Sequence, residues 1–244
     1  MAGLIPHTWS VPQRFKDRLG SQVGRQRAMV DQDHLLLVLH APPDPDEPER
    51  REGRLFWRAP DGTWKATTGG GVGALRAHLD GFGAAVDALE ERVERTTRAE
   101  EWFQAVRVAA PLRRTARHLL ETLQEAREAL PRDRDLISLR DQAGDLARAA
   151  ELLHELAREG LEFVVARRAE EQAAQGQQML LASHRLNLLA AVFLPVGALA
   201  GVLGMNLRTG LEELHAPWLF LGATALALGA GWWIRRGLPD PERA

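Results

Sequence analysis

The most informative short segment of this sequence lies near its C-terminus. Asn206 closes the hexapeptide Gly201-Val202-Leu203-Gly204-Met205-Asn206, and Phe193-Leu194-Pro195 stands upstream of it. Glu212 and Glu213 follow in a short polar stretch, and Asp141 and Asp145 stand four residues apart, about one turn of a helix. Amide and carboxylate oxygens suit hard cations such as Mg2+, which take oxygen ligands. The chain has no cysteine, which removes disulfides, thiol nucleophiles, thiolate zinc sites and iron–sulfur ligation, so a metal can be held only by oxygen or imidazole. His184 and His215 offer imidazole, but each lacks a visible ligand set and reads as an interfacial residue. No compact acid–base constellation is legible, and Gly69-Gly70-Gly71 lacks the frame and the lysine of a P-loop. The residues do not describe an enzyme, and no resident cofactor is implied.

The elements that must carry these residues begin with two apolar runs near the C-terminus. Residues 186–207 and 218–234 contain no Asp, Glu, Lys or Arg. As a helix the first spans roughly 33 Å, which matches a hydrocarbon core of about 30 Å. The second begins at Trp218 and ends at Trp232-Trp233, with Arg235 and Arg236 next, the arrangement of interfacial aromatic belts. Both runs are expected to cross a lipid bilayer. Between them Arg208 faces Glu212 and Glu213, whereas the outer flanks carry Arg185, Arg235, Arg236 and Arg243. The positive-inside rule then places both termini in the cytoplasm. Residues 1–20 are interrupted by Pro6 and Pro12 and hold no apolar core of signal-peptide length.

Upstream, Leu139, Ala143, Leu146, Ala150, Leu153, Ala157 and Val164 follow three-and-four spacing with no proline between Pro131 and Pro195. The pattern predicts one helix over about 136–204, on the order of 100 Å long, with Gly144, Gly160 and Gly176 as its weak points. Residues 167–178 (RRAEEQAAQGQQ) are polar nearly all round, which a helix tolerates where it is solvated or where several copies enclose water. Helices are also predicted over 74–93 and 99–130, with Pro111 kinking or breaking the second. Strands are expected at 34–40, 54–58 and 64–66, the last two forming a hairpin across Pro60-Asp61-Gly62, while the proline-rich 42–52 reads as a loop. The net charge of −2 argues against a general polyanion binder, nucleic acid included.

A proline eleven residues before the asparagine, the Gly-Met-Asn tripeptide, a C-terminal hairpin of apolar runs and a long preceding helix together resemble the CorA/ZntB superfamily of divalent-cation transporters. The resemblance implies a homopentamer in the bacterial inner membrane, its first membrane helix lining a central pore and its second forming an outer ring. It implies that Asn206 meets the cation's water shell with a neutral amide oxygen, with Met205 packing beside it. Gly201 and Gly204 then allow close approach, Gly197 and Leu194 face the pore, and Leu186 stands in its hydrophobic lower part. Glu212 and Glu213 would ring the outer mouth and attract cations. Asp141 and Asp145 stand near the position where such proteins hold a regulatory cation.

The chain also departs from the family pattern. Gly197 stands where many magnesium transporters carry threonine, Leu203 where many carry an aromatic residue, and Ala169 and Leu180 where polar or acidic groups line the stalk. The cytoplasmic part is shortened. The expected organisation is a reduced α+β cytoplasmic domain (1–130), a stalk helix (131–185), a pore helix (186–207), an extracytoplasmic loop (208–217), and a second membrane helix with a short tail (218–244). The fold class is that of a mainly α membrane protein. The expected function is conduction of divalent cations, Mg2+ with Co2+, Ni2+ or Zn2+ as further candidates, down their electrochemical gradient. The rival is a pentameric membrane scaffold or sensor that transports poorly.

Overall fold

The computed structural model describes residues 4–20, 23–47, 50–204 and 216–237. The chain divides into two compact units, Met1–Ala166 and Arg167–Ala244.

In the first unit, four antiparallel strands lie in sequence order: β1 (Arg27–Asp31), β2 (His34–His40), β3 (Gly53–Arg58) and β4 (Trp64–Ala66). The expected strands are there, but the sheet exceeds the predicted β3–β4 hairpin by two strands: β2 joins β3, and β1, which was not expected, pairs with β2 in the register Arg27↔Val38 to Asp31↔His34. The two strands are joined by Gln32 and Asp33, both at positive φ (48° and 62°), the geometry of a tight hairpin turn whose twist matches its strands. Continuous apolarity in β2 has a simple cause, because both of its faces are covered. Leu35, Leu37 and Leu39 join the main core, whereas Leu36 and Val38 pack with Trp9, Val11, Met29, Leu55 and Trp57 on the other side. A short helix, α1 (Gln13–Asp17), closes that second layer by burying Phe15.

Three helices cover the main face. The stripe expected on α2 (Val72–Glu94) is buried as a whole: Leu75, Leu79, Phe82, Val86, Leu89 and Val93. Before it, Gly69 and Gly70 take φ of 80° and 75°, a backbone that disfavours a Cβ, so the glycine run is a turn into the helix. Of the kink or break expected at Pro111, there is no break: helix α3 (Ala99–Ala129) runs through it as one element. The missing N–H costs one helical bond, but Ala105, Ala109, Leu112 and Ala116 are buried on either side and hold the helix against the core.

Helix α4 (Arg134–Gly204) is a single element. It starts where Asp133 accepts the backbone N–H groups of Asp135 and Leu136 at 3.0 and 3.1 Å, an N-terminal cap. Leu136, Leu139, Ala143, Ala150, Leu153 and Ala157 belong to the main core, so the first turns of the expected stalk are part of this unit. The helix continues through Gly144, Gly160 and Gly176, none of which interrupts it.

The second unit contains the remainder of α4 and α5 (Ala216–Gly237). Within α4 lies an apolar stretch long enough to cross a membrane, and none of that stretch is buried by the chain itself. On α5, Trp218, Leu221, Leu226, Leu228, Trp232 and Trp233 are exposed. Large exposed apolar side chains of this kind mark contact with lipid or with another protein.

Candidate functional site

Met205, Asn206, Glu212, Glu213 and His215 lie outside the described residues, so the site is built from the helix that leads to them. Counted along α4, positions 169, 173, 176, 180, 183, 187, 190, 194, 197, 201 and 204 alternate four and three residues apart. They are Ala169, Ala173, Gly176, Leu180, Ser183, Asn187, Ala190, Leu194, Gly197, Gly201 and Gly204. Eight are Gly, Ala or Ser, one is an amide, and only Leu180 and Leu194 are bulky. The bulky residues Met179, Leu181, Leu186, Leu189, Phe193 and Val202 stand off this line and are exposed. A repeat of seven with two small positions is the seam along which copies of a helix approach closely, and its mismatch with 3.6 residues per turn favours a left-handed supercoil.

Among the described residues, a Cβ added at Gly176, Gly197 or Gly201 would meet no atom within 4 Å, so packing among those residues does not set the size of these three glycines. Of the predicted pore positions, Leu194, Gly197, Gly201 and Gly204 fall on the seam. Leu186 does not: it lies eight residues before Leu194, about 80° round the helix, whereas Asn187 lies seven before it, about 20° away. Asn187 is thus the amide aligned with Leu194 and Gly201.

Asp141 and Asp145 are exposed on α4, and Asp141 accepts Nη1 of Arg140 at 2.9 Å. They are not joined by a third ligand, since no group of three or more His, Asp or Glu able to hold a metal occurs among the described residues. The same alternation of three and four, counted back through the first unit, reaches Glu162, Glu159 and Glu155 before Asp145 and Asp141. These three exposed glutamates escape a search for motifs but follow from the repeat. On the neighbouring face, Glu151 accepts Arg113 and Arg117 of α3 at 2.8 Å each. The Arg113 hydrogen bond, with help from Arg117, holds the Glu151 carboxyl below its ordinary range, and the three residues tie α3 to α4.

Comparison with known proteins places this arrangement. The cytoplasmic domain of ZntB from Vibrio parahaemolyticus RIMD 2210633 is similar at a TM-score of 0.53 and 13% identity, over 66% of this chain and 80% of that one. The full-length CmaX protein is similar at a TM-score of 0.51 and 18% identity, over 94% of this chain and 82% of that one. Both share the fold. No curated protein matches the chain at a significant level of sequence similarity. The CorA-like Mg2+ transporter protein family matches residues 72–236, from α2 through α5. By that match over most of its length, the chain belongs to the CorA-like family of divalent-cation transporters.

Proposed function

We propose that the chain is a homopentameric channel of the bacterial inner membrane, both termini cytoplasmic, that conducts divalent cations down their electrochemical gradient. A single pair of membrane helices cannot enclose a pore, so several copies must surround an axis, and closed cyclic symmetry is the usual solution. The observation that carries this reading is the seam on α4, on which Gly176, Gly197 and Gly201 meet no neighbour among the described residues and which reaches Gly204, immediately before Met205 and Asn206 in sequence. Copies of Asn206 then meet a hydrated cation with neutral oxygens that do not hold it too tightly to leave. Leu194 narrows the path below, where a ring of leucines gates by dewetting, and Glu212 and Glu213 concentrate cations at the outer mouth. Asp141 and Asp145 complete a regulatory cation site only with a ligand from another copy. An inside-negative potential of about 100 mV supplies roughly 4.6 kcal/mol per divalent ion, so no nucleotide is required.

The test is entry of Mg2+, Co2+, Ni2+ and Zn2+ into dye-loaded liposomes holding the purified oligomer. Saturable flux that is lost in Asn206→Ala with the oligomer intact supports the reading. A second reading, a scaffold or sensor that transports poorly, is favoured by the seam itself, because only Ser183 and Asn187 are polar on it between Ala169 and Gly204. An intact, correctly oriented oligomer without flux selects that reading.

A further inference from the structure

A sizeable cavity lies away from the seam, in the first unit. It opens between the α3 face and the ends of the sheet, where the chain enters β1, leaves β2 and enters β3, and its volume is about 820 Å³. Arg25, Arg50, Arg51 and Arg114 line it together with His40 and His118, and among the described residues no Asp or Glu does. In a chain with slightly more acidic than basic residues, this is a local excess of positive charge that the net charge of −2 conceals. A smaller cavity beside it shares Arg114 and His118 and adds Arg113 and Arg117.

The walls are fixed rather than incidental. Gln26 is buried, accepts the backbone N–H of His40 at 3.3 Å and donates to the carbonyl of Thr115 at 3.0 Å, which locks sheet to α3 at the cavity floor. His40 is also buried, and its Nε2–H donates to the Gly24 carbonyl at 2.8 Å. Burial pushes the His40 pKa down against the hydrogen bond to Gly24, with smaller contributions in the same direction from Arg51 and His118 nearby. Arg50 has Glu47 as a partner and Arg25 has Glu121 at 3.9 Å, whereas Arg51 and Arg114 have no ion pair among the described residues.

We propose that this cleft binds a soluble polyphosphate anion, the chemical class that includes the phosphate tails of nucleotides. Guanidinium groups match phosphate oxygens with paired N–H donors, and several of them around one void are held together most favourably by a multivalent anion. A single phosphate is too small for the space, and no Phe, Tyr or Trp lines it among the described residues, so a ligand is read mainly by its charge. The site is confined to the first unit, and its occupancy is measurable whether or not the chain conducts ions.

The test is calorimetric titration of the full chain, in detergent and chelator, with tripolyphosphate. Saturable binding at one site per chain is expected, weakened at least tenfold in the double variant Arg51→Ala/Arg114→Ala and unchanged in Arg132→Ala. The Arg51→Lys/Arg114→Lys variant, which keeps the charge and the fold but loses the forks, should fall between the two. The unfolding temperature of each variant verifies that it is folded. Absence of saturable binding, or equal affinity in the wild type and the folded double alanine variant, overturns the proposal. So does loss of tripolyphosphate binding when the chain is moved from zwitterionic to anionic-lipid nanodiscs at constant ionic strength, which would assign the cleft to a lipid headgroup.

Discussion

The indole of Trp102 on α3 lies over Gly160 on α4, so close that a Cβ at residue 160 would come within 2.6 Å of its ring atoms. A glycine that looks like a defect in a long helix is in fact the seat of an aromatic ring. Gly160→Ala in the native background therefore forces the ring to shift and should destabilise the first unit by about 1 kcal/mol or more, overpacking outweighing helix propensity. In a Trp102→Leu background the same change should stabilise by up to about 1 kcal/mol. A double-mutant cycle on thermal unfolding of the full chain in detergent reads this sign reversal; additive effects would contradict the packing account.

Arg58 on β3 and Asp133 at the head of α4 form a largely buried pair, Nε to Oδ2 at 2.6 Å with side-chain exposures of 16% and 10%. Asp133 also caps α4. Asp133→Ala removes both functions and leaves an uncompensated guanidinium, so a loss of about 3–5 kcal/mol is expected. Asp133→Asn keeps the cap and should lose less. Urea unfolding followed by far-UV circular dichroism distinguishes the two, and equal losses would mean that the cap contributes nothing.

His78 sits between Phe56 and Phe82, with both ring nitrogens buried and without a hydrogen-bond partner in the described chain. Burial, with smaller contributions from Arg54 and His40, pushes its pKa down to about 3. The unfolded chain takes up a proton near pH 6.5 and the folded one does not, so the stability contribution is full above that pH. It is lost as pH falls toward about 3, at roughly 1.4 kcal/mol per unit. His78→Phe should flatten this part of the stability profile between pH 6.5 and 4 and leave stability at pH 8 equal or higher. An unchanged slope would place the acid sensitivity elsewhere.

What could be read from the sequence depended on how each feature is encoded. Helices α2, α3 and α4 were legible because large apolar residues recur at three and four with few interruptions. Strand β1 was not, since Met29 is its one buried residue and Gln32-Asp33 supplies its turn without glycine or asparagine. At Pro111 local propensity counts against a helix, whereas packing of its neighbours keeps α3 in one piece. At the candidate site the Gly-Met-Asn motif drew attention to the end of α4, but the seam below it is written in small residues, which a search for hydrophobic periodicity passes over.

The account rests on the seam of α4 lining the ion path. The absence of native cysteine allows single-cysteine variants to be tested against a silent background. Gly201→Cys and Ala190→Cys lie on the seam, while Phe193→Cys and Val202→Cys lie off it. With each oligomer in liposomes conducting Mg2+, addition of a positively charged, water-soluble thiol reagent should block flux through the seam variants by tenfold or more and leave the others unaffected. Block at Phe193→Cys or Val202→Cys with none at Gly201→Cys and Ala190→Cys would contradict the assignment of the pore face.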